Sequence, residues 1–255
     1  MAGMVAVVYG VACYATFLVT FLYAIAFVGN LQLDAAVLQP WVPRSIDAGG
    51  TVAGTVEALI VNGLLMAVFA IQHTVMARPG FKAVWTRVVP VTIERSTYVL
   101  LSSLALILLF WLWRPMPQIV WRTTPGDLAY LVLNGLFWFG WLFVLLATFM
   151  IDHFHLFGLK QVSSAASGKP PPSMRFMKPG FYRFVRHPIM FGFIVAFWAT
   201  PVMTVGHLYF AIVTTVYILV ALTFEERDLV NELGEAYIQY REEVHMIVPL
   251  PRRRR

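Results

Sequence analysis

PIMFGFIVAFWATPVMTVGHLYFAIVTTVYILVALTF, residues 188–224, contains no Asp, Glu, Lys or Arg. It is much longer than the ~20 residues with which an α-helix crosses a hydrocarbon core. Pro201 and Gly206 interrupt it, and an internal proline removes a helical hydrogen bond and clashes with the preceding turn. The natural division is a helical hairpin, Ile189 to Pro201 and His207 to Phe224. Just before it stands Gly180-Phe181-Tyr182-Arg183-Phe184-Val185-Arg186-His187-Pro188. Just after it the texture changes: Glu225, Glu226, Asp228, Glu232, Glu235, Glu242 and Glu243 mingle with apolar residues. Glu226, Val230, Leu233 and Tyr237 follow spacings of 4, 3 and 4, which put them on one helical face. This predicts a cytoplasmic amphipathic helix packed against the bundle.

The rest of the chain carries further apolar runs. Met1 to Leu33 holds no charged side chain and predicts an uncleaved first span near 5–28. Ala58–Ala77 is charge-free, and Ser96–Trp113 and Leu128–Ile151 complete the set. The expected membrane helices are therefore 5–28, 58–77, 96–113, 128–151, 189–201 and 207–224. Of 255 residues, 59% are hydrophobic and 13% charged. A soluble domain carries about 25% charge. The fold class is an all-α polytopic transmembrane bundle, and residues 1–255 read as a single integral membrane domain. Ser163 to Pro172, ending in Pro170-Pro171-Pro172, is the best linker signal.

The formal charge of +6 orients this bundle rather than pointing to nucleic acid. One loop carries Arg78, Lys82, Arg87 and Arg95 against Glu94. Another carries Lys160, Lys169, Arg175, Lys178, Arg183 and Arg186, and Arg252 to Arg255 follow the last helix. With six helices these regions share one side, which the positive-inside rule makes cytoplasmic, together with both termini. The opposite loops mix Arg44 with Asp34 and Asp47, and Arg114 and Arg122 with Asp127. Cys13 is the only cysteine, which excludes an internal disulfide and a cysteine-cluster metal site. No phosphate-binding lysine loop and no soluble dinucleotide fingerprint is present.

Candidate chemistry gathers at the C-terminal strings. Arginine offers a fixed fork to an anion, so Arg186 is a ligand candidate, with lipid-headgroup contact as the plainer role. His187 donates or accepts according to its protonation, and Pro188 shapes the helix start. Glu225 and Glu226 are able to accept ribose hydroxyls or orient an arginine. Tyr182 precedes this arginine, and Tyr237 and Tyr240 are able to pack an aromatic nucleoside or simply form an interfacial belt.

Together, Arg186-His187-Pro188, Gly192, Glu225-Glu226 and Gly234-x-x-Tyr237-x-x-Tyr240 resemble the membrane methyltransferase superfamily that contains isoprenylcysteine carboxyl methyltransferases and NnrU-like proteins. Met190 stands where many members have a tyrosine. Further strings narrow the resemblance to methanethiol S-methyltransferases. They are residues 21–30, 42–47, Gln72-His73-Thr74-Val75-Met76-Ala77-Arg78, Glu94-Arg95-Ser96-Thr97-Tyr98 and residues 152–161. The resemblance implies methyl transfer from S-adenosylmethionine to methanethiol, giving dimethyl sulfide and S-adenosylhomocysteine. It implies a cofactor site at the cytosolic edge formed by Tyr182, Arg186, His187, Pro188, Glu225, Glu226, Tyr237 and Tyr240. The partners are then a small thiol and membrane lipid, with no nucleic acid and no obligatory protein partner.

Thiol methylation needs a proton acceptor and no metal. His73, Asp152 and His155 are the candidate catalytic groups, with Asp152 orienting a histidine. A histidine bonded to a neighbouring helix and an aspartate ending a helix are the plain alternatives. His153 and His155, two positions apart, need not share a helical face and make a weak metal pair. Competing functions are carboxyl methylation of a prenylated substrate, NnrU-like haem or redox chemistry, and a scaffold without activity.

Overall fold

The computed structural model describes residues 2–31, 36–51, 53–170 and 176–249. Asp34, Pro171, Pro172, Arg175 and the terminal run Arg252–Arg255 lie outside the described residues. The helices in chain order are α1 (Ala2–Val28), α2 (Thr55–Ala77), α3 (Pro79–Trp85), α4 (Val91–Leu112) and α5 (Leu128–Ile151). They continue with α6 (His153–Leu156), α7 (Leu159–Ala166), α8 (Pro188–Trp198), α9 (Val205–Leu233) and α10 (Glu235–Glu243). Among the described residues, α1, α2, α4, α5 and α9 are long and apolar enough to cross a membrane. Their outer faces expose large apolar side chains such as Leu64, Leu131, Leu142 and Val216, which suits a lipid solvent.

Local chemistry explains the boundaries. α4 begins at Val91, ahead of Ser96, because Pro90 precedes its first residue and Glu94 sits in the first turn. A carboxylate there complements the positive end of the helix. α9 begins where the Thr204 hydroxyl accepts the His207 N–H as a cap. It runs past Phe224 to Leu233, because Glu226, Val230 and Leu233 keep the helical period. The change from apolar to polar residues at Glu225 is therefore a change of surroundings along one continuous helix. Gly234 ends it at φ +58°, a left-handed conformation that glycine adopts without steric cost. Tyr237 consequently belongs to the separate helix α10.

α8 has 11 residues and rises about 16 Å, roughly half a hydrocarbon core. It lies chiefly against α5. The approach is backbone to backbone: a Cβ on Gly192 would sit 2.9 Å from the Gly140 carbonyl oxygen. A Cβ on Gly140 would meet the Ala196 nitrogen at 2.7 Å. Small residues at such crossings let apolar helices pack closely.

A short antiparallel ribbon pairs β1 (Ile119–Arg122) with β2 (Val202–Thr204) where α8 gives way to α9. Nearby, Asp47 accepts hydrogen bonds from Asn30 (2.7 Å) and the Thr204 hydroxyl. The main core joins Phe27, Leu65, Leu109, Phe110, Trp113, Phe137, Trp141 and Phe210 from α1, α2, α4, α5, α9 and the segment after α4.

Candidate active site

The segment 182–188 is tied down by backbone pairing before it enters α8. Arg186 N–H donates to the His245 carbonyl (2.9 Å) and His187 N–H to that of Met246 (3.0 Å). The chain after α10 therefore lies alongside the segment before α8, and two regions almost 60 residues apart meet at Arg186. Pro188 is the first residue of α8, where its missing N–H costs nothing.

One buried carboxylate organises this junction. Glu226 Oε1 accepts from Arg186 Nε at 2.7 Å and lies 3.2 Å from His187 Nε2. Its Oε2 faces Arg241 Nε at 3.3 Å. Arg186 also donates through Nη1 to the carbonyls of Arg241 (3.1 Å) and Val244. Arg186 and Glu226 are both buried, so each needs the other to offset the loss of water. Glu225 is half exposed, 3.9 Å from His187 Nδ1. Arg186, Ile238, Arg241 and Glu242 line an open depression of about 420 Å³.

The tyrosines pack beneath. The Tyr240 hydroxyl donates to the Tyr182 carbonyl at 2.5 Å, and the Tyr237 and Tyr240 rings meet edge to face. Burial pushes the phenols of Tyr182 and Tyr237 up, and that of Tyr240 up to about 12. All three stay neutral donors near pH 7. The buried Tyr237 hydroxyl has no hydrogen-bond partner among the described residues.

A second polar cluster lies between α2, α4 and α9. The His73 ring has the Tyr98 hydroxyl 2.9 Å from Nε2 and the Ser102 hydroxyl 3.1 Å from Nδ1. Phe69 stacks on it at 5.1 Å. Thr74 donates to the Tyr217 hydroxyl at 3.3 Å, joining α2 to α9. Arg78, just past the end of α2, pairs with Asp228 of α9 at 2.8 Å.

Asp152 and His155 form a third group. Asp152, at φ +127°, accepts the His155 backbone N–H at 3.1 Å and pairs with Lys160 at 2.5 Å. Burial acts to raise its carboxyl, but the bonds from Lys160 and the His155 N–H outweigh this and hold it below the ordinary aspartate value. His153 is enclosed, bonded to the Tyr14 and Thr148 hydroxyls. Arg95 links this corner to the second cluster: it donates to the Leu156 carbonyl at 2.7 Å and lies 5.0 Å from the centroid of the Tyr98 ring.

The structure thus brings Tyr182, Arg186, His187, Pro188, Glu225, Glu226, Tyr237 and Tyr240 into one junction. It places His73 in the second cluster, between α2, α4 and α9, and Asp152 with His155 at the α5–α6 corner. Sequence reasoning missed Arg241, Tyr98, Ser102 and Tyr217. Tyr98 does close the string Glu94–Tyr98, but nothing in the spacing pairs it with His73.

Known proteins align with this arrangement along nearly its whole length. A methanethiol S-methyltransferase of Mycobacterium tuberculosis is 55% identical over 249 residues, 97% of each chain. The chain belongs to the methanethiol S-methyltransferase family. Methanethiol S-methyltransferase 2 of Bradyrhizobium diazoefficiens is 52% identical over 248 residues, 97% of this chain and 91% of that one. The enzyme of the same name from Crocosphaera subtropica is 47% identical over 241 residues, 94% and 90% of the two chains. No family model matches the chain, and no solved structure does. The methanethiol S-methyltransferase matches span both the helices that hold His73 and the junction at Arg186.

Proposed function

We propose that this protein transfers a methyl group from S-adenosylmethionine to methanethiol, giving dimethyl sulfide and S-adenosylhomocysteine. The observation that carries the reading is the 55% identity through 97% of the chain, which takes in both polar clusters. The residues present suit the cofactor: a depression lined by two arginines, an isoleucine and a glutamate, and, on the same helix α10 as three of them, a buried Tyr237 hydroxyl without a partner among the described residues.

Tyr182, His187, Pro188, Glu225, Glu226, Tyr237 and Tyr240 enclose the cofactor, and Arg186 frames it by holding 182–188 to α10. Glu225 and Tyr237 serve the ribose hydroxyls. When bound, S-adenosylmethionine supplies a methyl carbon that its sulfonium already activates. His73 takes the thiol proton, with Tyr98 and Ser102 fixing its ring. Asp152 and His155 shape the corner that Arg95 joins to Tyr98. The bundle is one domain whose α8–α9 hairpin and amphipathic α10 close the site. The end carrying Arg78, Lys82, Arg95 and Arg186 faces the cytoplasm, as do both termini.

Product-resolved turnover by purified protein in nanodiscs tests the reading. Dimethyl sulfide and S-adenosylhomocysteine are expected in equal amounts from methanethiol. Cofactor binding without either product would redirect the search to larger thiols or prenylated carboxylates. No cofactor binding by folded protein would remove the methyltransferase reading.

A further inference from the structure

The two arginines at the junction differ in what they have left to offer. Arg186 is buried, and its Nε, Nη1 and Nη2 all reach Glu226 or backbone carbonyls. Arg241 keeps 46% of its side chain exposed while its Nε faces Glu226. Ile238, Arg241 and Glu242 are spaced i, i+3 and i+4, so they share one face of α10. That face lines the depression. A cation, an anion and an aliphatic side chain at neighbouring positions complement an α-amino acid: a carboxylate, an ammonium and a methylene chain.

We propose that the Ile238–Arg241–Glu242 face grips the zwitterionic amino-acid end of the cofactor. Arg241 takes the carboxylate, Glu242 the ammonium, and Ile238 covers the methylenes. Arg186 is a positioning residue: its bond to the Arg241 carbonyl fixes α10, and Glu226, which it holds, orients the Arg241 fork. This inference rests on the cofactor reading above.

Equilibrium binding to the full chain in nanodiscs separates the possibilities, using S-adenosylhomocysteine and 5′-methylthioadenosine, which lacks the amino-acid end. Arg241→Ala and Glu242→Gln are each expected to weaken S-adenosylhomocysteine roughly tenfold or more, as loss of a charge-assisted contact does. Both are expected to leave 5′-methylthioadenosine affinity unchanged. Glu242→Gln alters an exposed side chain outside the Glu226 cluster, so it reads the site even if Arg241→Ala loosens α10. Unchanged S-adenosylhomocysteine affinity in both variants would overturn the proposal and leave this face as a membrane-surface contact. Equal losses for both ligands would overturn it too. Wild-type protein that binds neither ligand would remove the cofactor reading and this inference with it.

Discussion

The Tyr98 hydroxyl lies 2.9 Å from Nε2 of His73, across the contact between α4 and α2. The same hydroxyl lies 3.1 Å from Nδ1, which the Ser102 hydroxyl also reaches at 3.1 Å, and contacts of this kind favour one ring orientation. That is the condition for efficient proton transfer to a fixed base.

His73→Ala is expected to lower thiol turnover about a hundredfold, the usual worth of a general base. S-adenosylhomocysteine affinity should stay near that of the wild type. Tyr98→Phe keeps the ring under Arg95 and removes only the hydroxyl, so a smaller loss, roughly tenfold, is expected. Single-turnover rates across a pH series check both. A normal profile in His73→Ala would dismiss it as the base.

Arg186→Ala leaves Glu226 buried with one fewer cation. Breaking a buried pair from one side costs about 3 kcal/mol. A lowered Tm is therefore expected together with lost cofactor affinity. Arg186→Lys should recover part of the Tm, because a single ammonium is unable to reproduce the forked contacts to Glu226, Arg241 and Val244. Thermal unfolding in nanodiscs measures this. An unchanged Tm in Arg186→Ala would contradict the structural role of the pair.

Gly192→Ala places a methyl 2.7 Å from a Val144 methyl and 2.9 Å from the Gly140 carbonyl oxygen. Overpacking of this kind costs about 1–3 kcal/mol. Because α8 continues directly from Arg186-His187-Pro188, cofactor affinity should fall along with stability. Gly135→Ala on the facing helix α5, where an added Cβ meets nothing within 4 Å, is the control expected to do neither.

Tyr240 gives a pH signature. Its phenol ionises at about 12 in the folded protein against 10 ordinarily, chiefly because it is buried. The neutral form is thus the one that folding favours. Its contribution is complete below pH 10 and is lost as pH rises from 10 through 12. Tyr240→Phe should flatten the alkaline limb of a Tm profile and cost about 1 kcal/mol at neutral pH by deleting the bond to Tyr182. An alkaline limb identical in wild type and Tyr240→Phe would rule the assignment out.

The long spans were legible because lipid demands a continuous apolar helix, and Leu128–Ile151 coincides with α5 at both ends. The end of α9 was less legible: hydropathy stops at Phe224, but backbone hydrogen bonding continues while the helical period holds. The junction residues were legible as strings around Arg186 and Glu226. Their partners were not. Arg186 bonds carbonyls at 241 and 244, and a carbonyl carries no sequence signature. Tyr98 and His73 stand 25 positions apart on different helices, a relation that only packing creates.

Helix α9 carries Tyr217, Glu225 and Glu226 on one uninterrupted rod. Glu225 stands eight positions after Tyr217, about 12 Å along the axis. The distance from Tyr217, which bonds Thr74 of α2, to the glutamates at the Arg186 junction is thereby written as a residue count. Deleting or inserting one residue between 218 and 224 would turn the glutamates about 100° relative to Tyr217 while leaving Tyr217, Glu225 and Glu226 chemically unchanged. Substitutions on this stretch are then tolerable wherever they face lipid, but a change of length is not, and the rod acts as a gauge that evolution is free to repaint and unable to recut.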